Sequence, residues 1–193
     1  SSGKTTLLKT ILGLYQPFEG RVIFDGADIK QIGRKDLSNL IGYVPQETFL
    51  FDSTIKENIL WSNINTPDDQ IIKICESINL HKTILDMPNG YGTIVGEQGQ
   101  NLSSGIRRKV SIARSLIGNP KIIIMDEPTN NLDQESERIF SRFISDISKY
   151  KSIIIVSHSQ SIIDVSNNLI LLNNAKVIKS GTKEEVIKAI QNL

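Results

Sequence analysis

The apolar run IIIM at residues 122–125 is the strongest indication of the fold of this chain, and the carboxylates Asp126 and Glu127 follow it directly. A second uniform run, IIIV, occupies residues 153–156. Runs of β-branched residues without polar alternation are typical of strands that are buried on both faces of a parallel sheet. Between the two runs, apolar residues recur at helical spacing: Ile139, Phe140, Phe143, Ile144 and Ile147. The pattern predicts a β-α-β unit and therefore an α/β fold with a mostly parallel sheet.

Further elements extend outward from this unit. A strand is predicted at residues 21–24, before the turn at Asp25 and Gly26, and another at residues 41–44, where Pro45 stops it. Two strands at residues 168–173 and 176–180 surround a turn, and a last helix begins near Lys183.

Residues 51–118 have a different character, with helices and loops in place of strands. Asp68 and Asp69 open a helix that carries Ile71, Cys75 and Ile78, and acidic residues are favourable in a first turn. Residues 88–105 are rich in glycine and polar residues, which predicts a long loop that is either functional or disordered. We therefore expect a core of residues 1–50 and 119–193 with a helical subdomain at 51–118.

Composition excludes several classes of protein. In 193 residues, 22 Lys and Arg face 21 Asp and Glu, so net charge provides no attraction to nucleic acid or to an anionic membrane. The single cysteine excludes an internal disulfide framework and a cysteine-based zinc site. No apolar run reaches the roughly 18 residues of a membrane span, and no signal-peptide pattern is present.

The chain opens on part of a phosphate-binding motif. Gly3, Lys4 and Thr5 match the end of the P-loop pattern, with Ser1 and Ser2 at its last two variable positions. In a complete motif the lysine reaches the β- and γ-phosphates and the threonine hydroxyl binds Mg²⁺. A simple turn is the alternative, but an apolar helical stripe follows at Leu7, Leu8, Ile11, Leu12 and Tyr15. A phosphate loop that leads into a buried helix is the context that the motif requires. We expect the chain to be a fragment cut within its own nucleotide site.

Polar side chains at strand ends complete the candidate chemistry. Ligands of open α/β sheets sit at the carboxyl ends of the strands, where Asp126 suits Mg²⁺ and Glu127 suits an attacking water. His158 follows residues 153–156 in the same relation and could contact a γ-phosphate. A solvated turn and a structural histidine are the alternatives, and His81 is assigned only a structural role.

The motifs occur together in a fixed order: Gly3-Lys4-Thr5-Thr6, Gln46, Leu102-Ser103-Ser104-Gly105, Asp126-Glu127, Asn131-Leu132-Asp133 and His158. This ensemble resembles an ATP-binding cassette, the nucleotide-binding domain of ABC transporters. The resemblance implies a P-loop NTPase (RecA-like) fold with an inserted α-helical subdomain, bound ATP and Mg²⁺, and ATP hydrolysis coupled to transport.

The same resemblance implies roles for individual residues. Gln46 would link the magnesium site to the membrane domain and contribute to the metal, and His158 would sense the γ-phosphate. Ser103, Ser104 and Gly105 would start a helix that faces nucleotide held by a second nucleotide-binding domain, with Asp133 at that interface. The partner would form either a homodimer or a heterodimer with this chain.

Two segments resemble those of exporter-type cassettes, at residues 51–59 and 90–99. They imply a transmembrane domain fused upstream and a position at the cytoplasmic face of a membrane, with no nucleic-acid partner. Three residues depart from the family pattern: Ser104 and Ile106 replace glycine and glutamine in the signature segment, and Pro128 stands where exporters often have alanine.

Two other functions remain open at this point. One is a cassette of a soluble ABC-type ATPase, which predicts basic arms or coiled-coil insertions that this sequence lacks. The other is a degenerate, ATP-binding regulatory half, which Ser104 and Ile106 favour and Glu127 opposes. Because half of the phosphate loop is missing from the sequence, we expect this chain alone to bind ATP weakly and to be inactive.

Overall fold

The computed structural model describes residues 3–61 and 63–191. The helices are α1 (Lys4–Ile11), α2 (Arg34–Leu40), α3 (Ile55–Leu60), α4 (Asp68–Ser77), α5 (His81–Leu85), α6 (Ser104–Leu116), α7 (Gln134–Ile147), α8 (Gln160–Val165) and α9 (Lys183–Gln191). The strands are β1 (Ile23–Phe24), β2 (Ala27–Asp28), β3 (Ile41–Val44), β4 (Ile122–Asp126), β5 (Ser152–Val156), β6 (Asn168–Asn173) and β7 (Lys176–Thr182). Single 3₁₀ turns lie at Ile29–Gln31, Gly90–Gly92 and Glu97–Gly99.

The central sheet has the strand order β3-β4-β5, and both pairings are parallel. Helix α7 connects β4 to β5, as a parallel pair requires. The predicted β-α-β unit and the α/β fold are therefore confirmed. Tyr43 pairs with Ile124, and Asp126 pairs with Val156, so the three strands end at one edge of the sheet.

Strand β4 is covered on both faces because its successive side chains point to opposite sides. Ile123 and Met125 belong to the main core, which includes Phe140 of α7. Ile124 belongs to a second cluster with Leu8 of α1 and Ile41 of β3. The carboxyl end of β4, with its two carboxylates, therefore lies between α1 on one face and the helices on the other.

The uniform run predicts that β5 is buried on both faces, and this prediction is wrong. Its residues are only partly buried, and Ile154 keeps 36% of its surface exposed. The physical reason is position, because β5 pairs with β4 on one side and lies at an edge of the described sheet. A run of β-branched residues records strand propensity as well as burial.

Helix α1 also departs from its predicted stripe. Leu8 is 1% exposed, whereas Leu7 and Tyr15 are 39% and 49% exposed. Leu7 lies about 100° around the helix from Leu8, and Tyr15 follows the helix end at Ile11. The helix itself is confirmed, but it buries a narrower face than the sequence indicates.

The terminal parts of the sheet system follow their turn signals. The hairpin of β1 and β2 turns at Asp25 and Gly26, whose φ angles are 46° and 82°, and a turn with two positive φ angles matches strand twist. The predicted strand at 21–24 is shorter than expected, because only Ile23 and Phe24 pair. Strands β6 and β7 form the predicted antiparallel pair.

Residues 88–105 form the expected long connection, which two 3₁₀ turns organise before α6 begins at Ser104. The division of the chain into a core and a helical subdomain at 51–118 stays a prediction. Among the described residues, no helix is both long enough and apolar enough to cross a membrane.

Candidate functional site

The start of α1 lies against the end of β4. Gly3 has φ = 80°, a left-handed conformation that glycine adopts at low cost, and it precedes the first helical residue, Lys4. From the first turn of the helix, Thr5 Oγ1 donates a hydrogen bond of 2.7 Å to Asp126 Oδ2. This bond joins residues 121 positions apart and fixes the P-loop remnant at the carboxyl edge of the sheet. Thr6, in the same turn, is exposed, and the predicted residues Ser1 and Ser2 lie outside the described part of the chain.

Asp126 provides the buried carboxylate of the site. It is 1% exposed at the end of β4, and with Thr5 it presents a carboxylate and a hydroxyl oxygen together. Its negative charge, added to the larger effect of burial, raises the pKa of Tyr43 on the neighbouring strand β3. Two hard oxygen donors fit Mg²⁺, which takes one or two protein carboxylates and completes its shell with water and phosphate oxygens. The described residues contain no group of three or more His, Cys, Asp and Glu side chains of the kind that forms an all-protein metal site.

Glu127 has an unusual backbone conformation. Its φ is 48°, in the left-handed region that non-glycine residues rarely occupy. Its N–H donates to Val156 O at 2.8 Å, which continues the pairing with β5 by one residue. This conformation turns the chain sharply at the end of β4, and such local strain is characteristic of functional sites.

The Glu127 carboxylate faces His158. Glu127 Oε1 lies 3.4 Å from His158 Nε2. The glutamate side chain is 11% exposed and the histidine side chain 77%, so the pair has a buried side and an open side. The ends of β4 and β5 therefore bring the predicted pair together, with the histidine side open to solvent.

Sequence reasoning missed Arg108, which connects the Glu127 and Gln46 segments. Arg108 lies in α6, is 1% exposed, and its Nη2 donates to Glu127 O at 2.7 Å and to Gln46 O at 2.9 Å. Its Nη1 donates to Pro45 O at 2.6 Å. A signal for it was present in the sequence. Arg108 stands four residues before Ile112 and eight before Leu116, both of which are buried, so its charge lies within an apolar helix face.

Gln46 itself is exposed, and the described contact near the site is made by its backbone carbonyl. It follows β3 at the edge where β4 and β5 also end. The structure thus places Gln46 beside Glu127 through Arg108.

The signature segment forms the start of α6. Ser103 precedes the helix, and its Oγ accepts a hydrogen bond of 3.3 Å from Ile106 N, a standard N-terminal cap. Ser103 and Ser104 are exposed. A Cβ added to Gly105 would lie 3.1 Å from Asn131 O, so this glycine permits α6 to approach the segment that leads to Asp133.

Asp133 caps the next helix, α7. Its Oδ1 accepts a hydrogen bond of 2.7 Å from Ser136 N, and bonds to Ser136 hold the pKa of Asp133 below its ordinary value. Asp133 is exposed and near Lys109 of α6, whose positive charge lowers its pKa further. The predicted site residues therefore form two groups, one at the strand ends and one at the starts of α6 and α7.

Comparison with known proteins agrees with these observations. A family model described as ABC transporter matches residues 1–130. The chain is 40% identical over 185 residues to ABC transporter B family member 1 from Dictyostelium discoideum, covering 96% of this chain and 20% of that protein. It is 38% identical over 191 residues to the ABC transporter ATP-binding protein YfiB from Bacillus subtilis, covering 98% of this chain and 33% of that protein.

Among solved structures, a bacterial Atm1-family ABC exporter with ATP bound superposes with a TM-score of 0.92 at 29% identity. The match covers 97% of this chain and 33% of the exporter chain. The chain therefore spans about a fifth to a third of the length of these relatives.

Proposed function

The chain belongs to the ABC transporter family and has its P-loop NTPase fold, and on this premise we propose that it is the ATP-hydrolysing domain of a membrane exporter. The observation that carries the proposal is the meeting of Thr5 with Asp126 and of Glu127 with His158 at one sheet edge. These side chains supply a metal-binding oxygen pair and an acid–base pair. Phosphoryl transfer to water uses a metal ion on the phosphates and a residue that orients or deprotonates the attacking water.

The first group binds the triphosphate. Residues Gly3, Lys4, Thr5 and Thr6 present the amino end of α1 to the phosphates, where backbone N–H groups and the helix dipole favour negative charge. Thr5 and Asp126 would hold Mg²⁺, with Gln46 at its side. When bound, the metal neutralises charge on the phosphate oxygens.

Glu127 acts on the attacking water. Its carboxylate accepts a proton as the water oxygen forms a bond to the γ-phosphorus and the bond to the β–γ bridging oxygen breaks, which yields ADP and inorganic phosphate. His158, 3.4 Å from this carboxylate, orients it and can donate to a γ-phosphate oxygen from its exposed side. The strained backbone of Glu127 aims the carboxylate before substrate arrives.

The second group acts on a partner. Ser103, Ser104 and the free N–H groups at the start of α6 face outward and offer an anion site to ATP held by a second nucleotide-binding domain. Asp133 lies beside this surface at the start of α7. Two such domains would enclose two ATP molecules as a homodimer or heterodimer.

The membrane part of the protein would be fused upstream. The relatives are several times longer than this chain, and the solved neighbour is an ABC exporter. We infer that this domain sits at the cytoplasmic face of a membrane and that ATP-driven dimerisation moves substrate through the membrane domain. The exporter among the solved structures favours this role over a cassette of a soluble ABC-type ATPase.

The test is hydrolysis by the intact protein in liposomes. We expect Mg²⁺-dependent ATPase activity. Lys4→Ala should lower it about 100-fold, because the phosphates lose the positive charge of the lysine. Lys9→Ala changes a second lysine of α1 one turn and a half further along and serves as the matched control. A parent protein that binds ATP without hydrolysing it would replace this proposal with the regulatory alternative.

A further inference from the structure

Arg108 is buried in a manner that stability alone does not require. It is 1% exposed, yet it is held by three backbone carbonyl oxygens and by none of the carboxylates nearby. Its Nε has no hydrogen-bond partner among the described residues. Burying a guanidinium with one donor unsatisfied is costly, and an apolar residue at this helix position would avoid that cost.

The three carbonyls belong to the two segments that the proposed reaction uses. Pro45 and Gln46 open the Gln46 loop (residues 45–48), and Glu127 opens the Glu127 turn (residues 127–130). The Gln46 loop follows β3 and the Glu127 turn follows β4, so the two segments are far apart in sequence. The planar fork of arginine can reach several acceptors at fixed angles, whereas a lysine ammonium cannot reproduce that pattern.

One of the carbonyls comes from a strained residue. Glu127 has φ = 48°, and its carbonyl accepts from Arg108 Nη2 at 2.7 Å and from Asn130 N at 3.2 Å. A non-glycine residue stays in this conformation only when surrounding contacts hold it there. Arg108 supplies a charge-assisted bond at that carbonyl, a strong kind of contact.

We propose that Arg108 is a positioning residue that fixes the Gln46 loop and the Glu127 turn to helix α6. It touches neither the nucleotide nor the attacking water, and it acts through the backbone of the residues that do. Because Ser103 caps the start of α6, the same side chain connects a chain's own hydrolytic centre to the surface that it offers to a partner. The inference rests on the proposed function for its kinetic consequence, but the linkage itself does not depend on ATP hydrolysis.

Arg114 provides a matched control within the same helix. It also donates to backbone carbonyls, to Asn58 O at 2.7 Å through Nε and to Phe49 O at 2.9 Å through Nη1. Its contacts hold residues 49–58 and include none of the predicted site residues. Loss of Arg114 therefore removes a similar set of bonds without releasing Glu127.

The experiment compares Arg108→Gln with Arg114→Gln in the intact protein. Glutamine leaves no uncompensated buried charge, and Arg108→Lys is the second variant should the first fail to fold. We expect Arg108→Gln and Arg108→Lys to lower kcat about 10- to 100-fold with KM for ATP within about 2-fold, as small displacements of reacting groups do. Arg114→Gln should keep the parental kcat at a comparable loss of Tm.

Amide hydrogen exchange gives a readout that is independent of activity. We expect Arg108→Gln to speed exchange in residues 45–48 and 127–130 together and to leave residues 183–191 unchanged. Arg114→Gln should speed exchange in residues 49–58 instead. The proposal would be overturned if folded Arg108 variants kept the parental kcat, or if the Arg108 and Arg114 variants lost kcat equally. Unchanged exchange in either site segment would overturn it as well. A parent without ATPase activity would overturn the proposed function, and the exchange pattern would still decide the role of Arg108.

Discussion

The end of β4 and the start of α6 are both predicted to act on phosphate, but the chain completes them to different degrees. At the end of β4, Asp126 and Glu127 are buried and already engaged with Thr5 and His158. At the start of α6, Ser103 and Ser104 are exposed to solvent. Contacts within this chain thus hold the first region, whereas the exposed start of α6 fits our proposal that it acts on a second nucleotide-binding domain.

Glu127→Gln should give the largest loss of ATP turnover, because it removes the proposed proton acceptor at the end of β4. The amide cannot accept a proton from water, so we expect ATP turnover of the intact protein to fall by about 10²- to 10⁴-fold. ATP binding should persist, since the phosphate and magnesium residues are unchanged. Steady-state ATPase assays with a parallel nucleotide-binding measurement check both points, and turnover at the parental rate would refute the role of Glu127.

Ser104→Asp should give the next largest effect, at the region that faces a partner. An aspartate in the first turn of α6 favours the helix, so folding is preserved while a like charge meets the phosphates. Such a juxtaposition costs several kcal/mol, and we expect turnover to fall by about 100-fold.

Ser104→Ala is the control for that variant, because it keeps the backbone N–H and adds no charge. Its turnover should stay near that of the parent. Equal activities of the Asp and Ala variants would show that no phosphate approaches the start of α6.

Ser103→Ala tests the same helix start through stability. Loss of the bond to Ile106 N removes an N-terminal cap, which costs about 1 kcal/mol. For a chain of this size that is a fall in Tm of about 2–4 °C. Calorimetry checks the value, and Ser103→Asn, which can also cap, should recover most of it.

Asp133→Asn should have the smallest effect, because asparagine caps helices about as well as aspartate. Bonds from Ser136 lower the pKa of Asp133 in the folded chain. Its contribution to stability is therefore present above the unfolded pKa, near 4, and is lost as pH falls through the folded value. The variant should flatten the acid side of the stability profile measured by urea unfolding, and an unchanged acid profile would argue against the cap.

Much of the fold follows from local pattern, because β4, α7 and the last two strands are read directly from runs and periodicity. The sequence overestimates burial of β5 because the same residues suit an edge strand and a central one. It also widens the buried face of α1 to include Leu7 and Tyr15. Short-range pattern records propensity, whereas burial depends on what packs against each face.

The candidate site shows the same limit. Asp126, Glu127 and His158 are predictable, since the carboxyl ends of adjacent parallel strands meet at one edge. The partners of Arg108 are not, because they are backbone carbonyls, which leave no trace in residue identity. Its contacts to Gln46 and Glu127 exist only once three separate segments are folded together.

Nucleotide retention tests most directly whether the two regions act on one ATP from opposite sides. The intact Glu127→Gln protein is incubated with ATP and Mg²⁺, freed of unbound nucleotide by gel filtration, and compared with the double variant Glu127→Gln/Ser104→Asp. We expect the single variant to retain ATP and the double variant to release it, because a charge at the start of α6 repels phosphate bound at the end of a partner's β4. Equal retention by the two proteins would contradict this expectation.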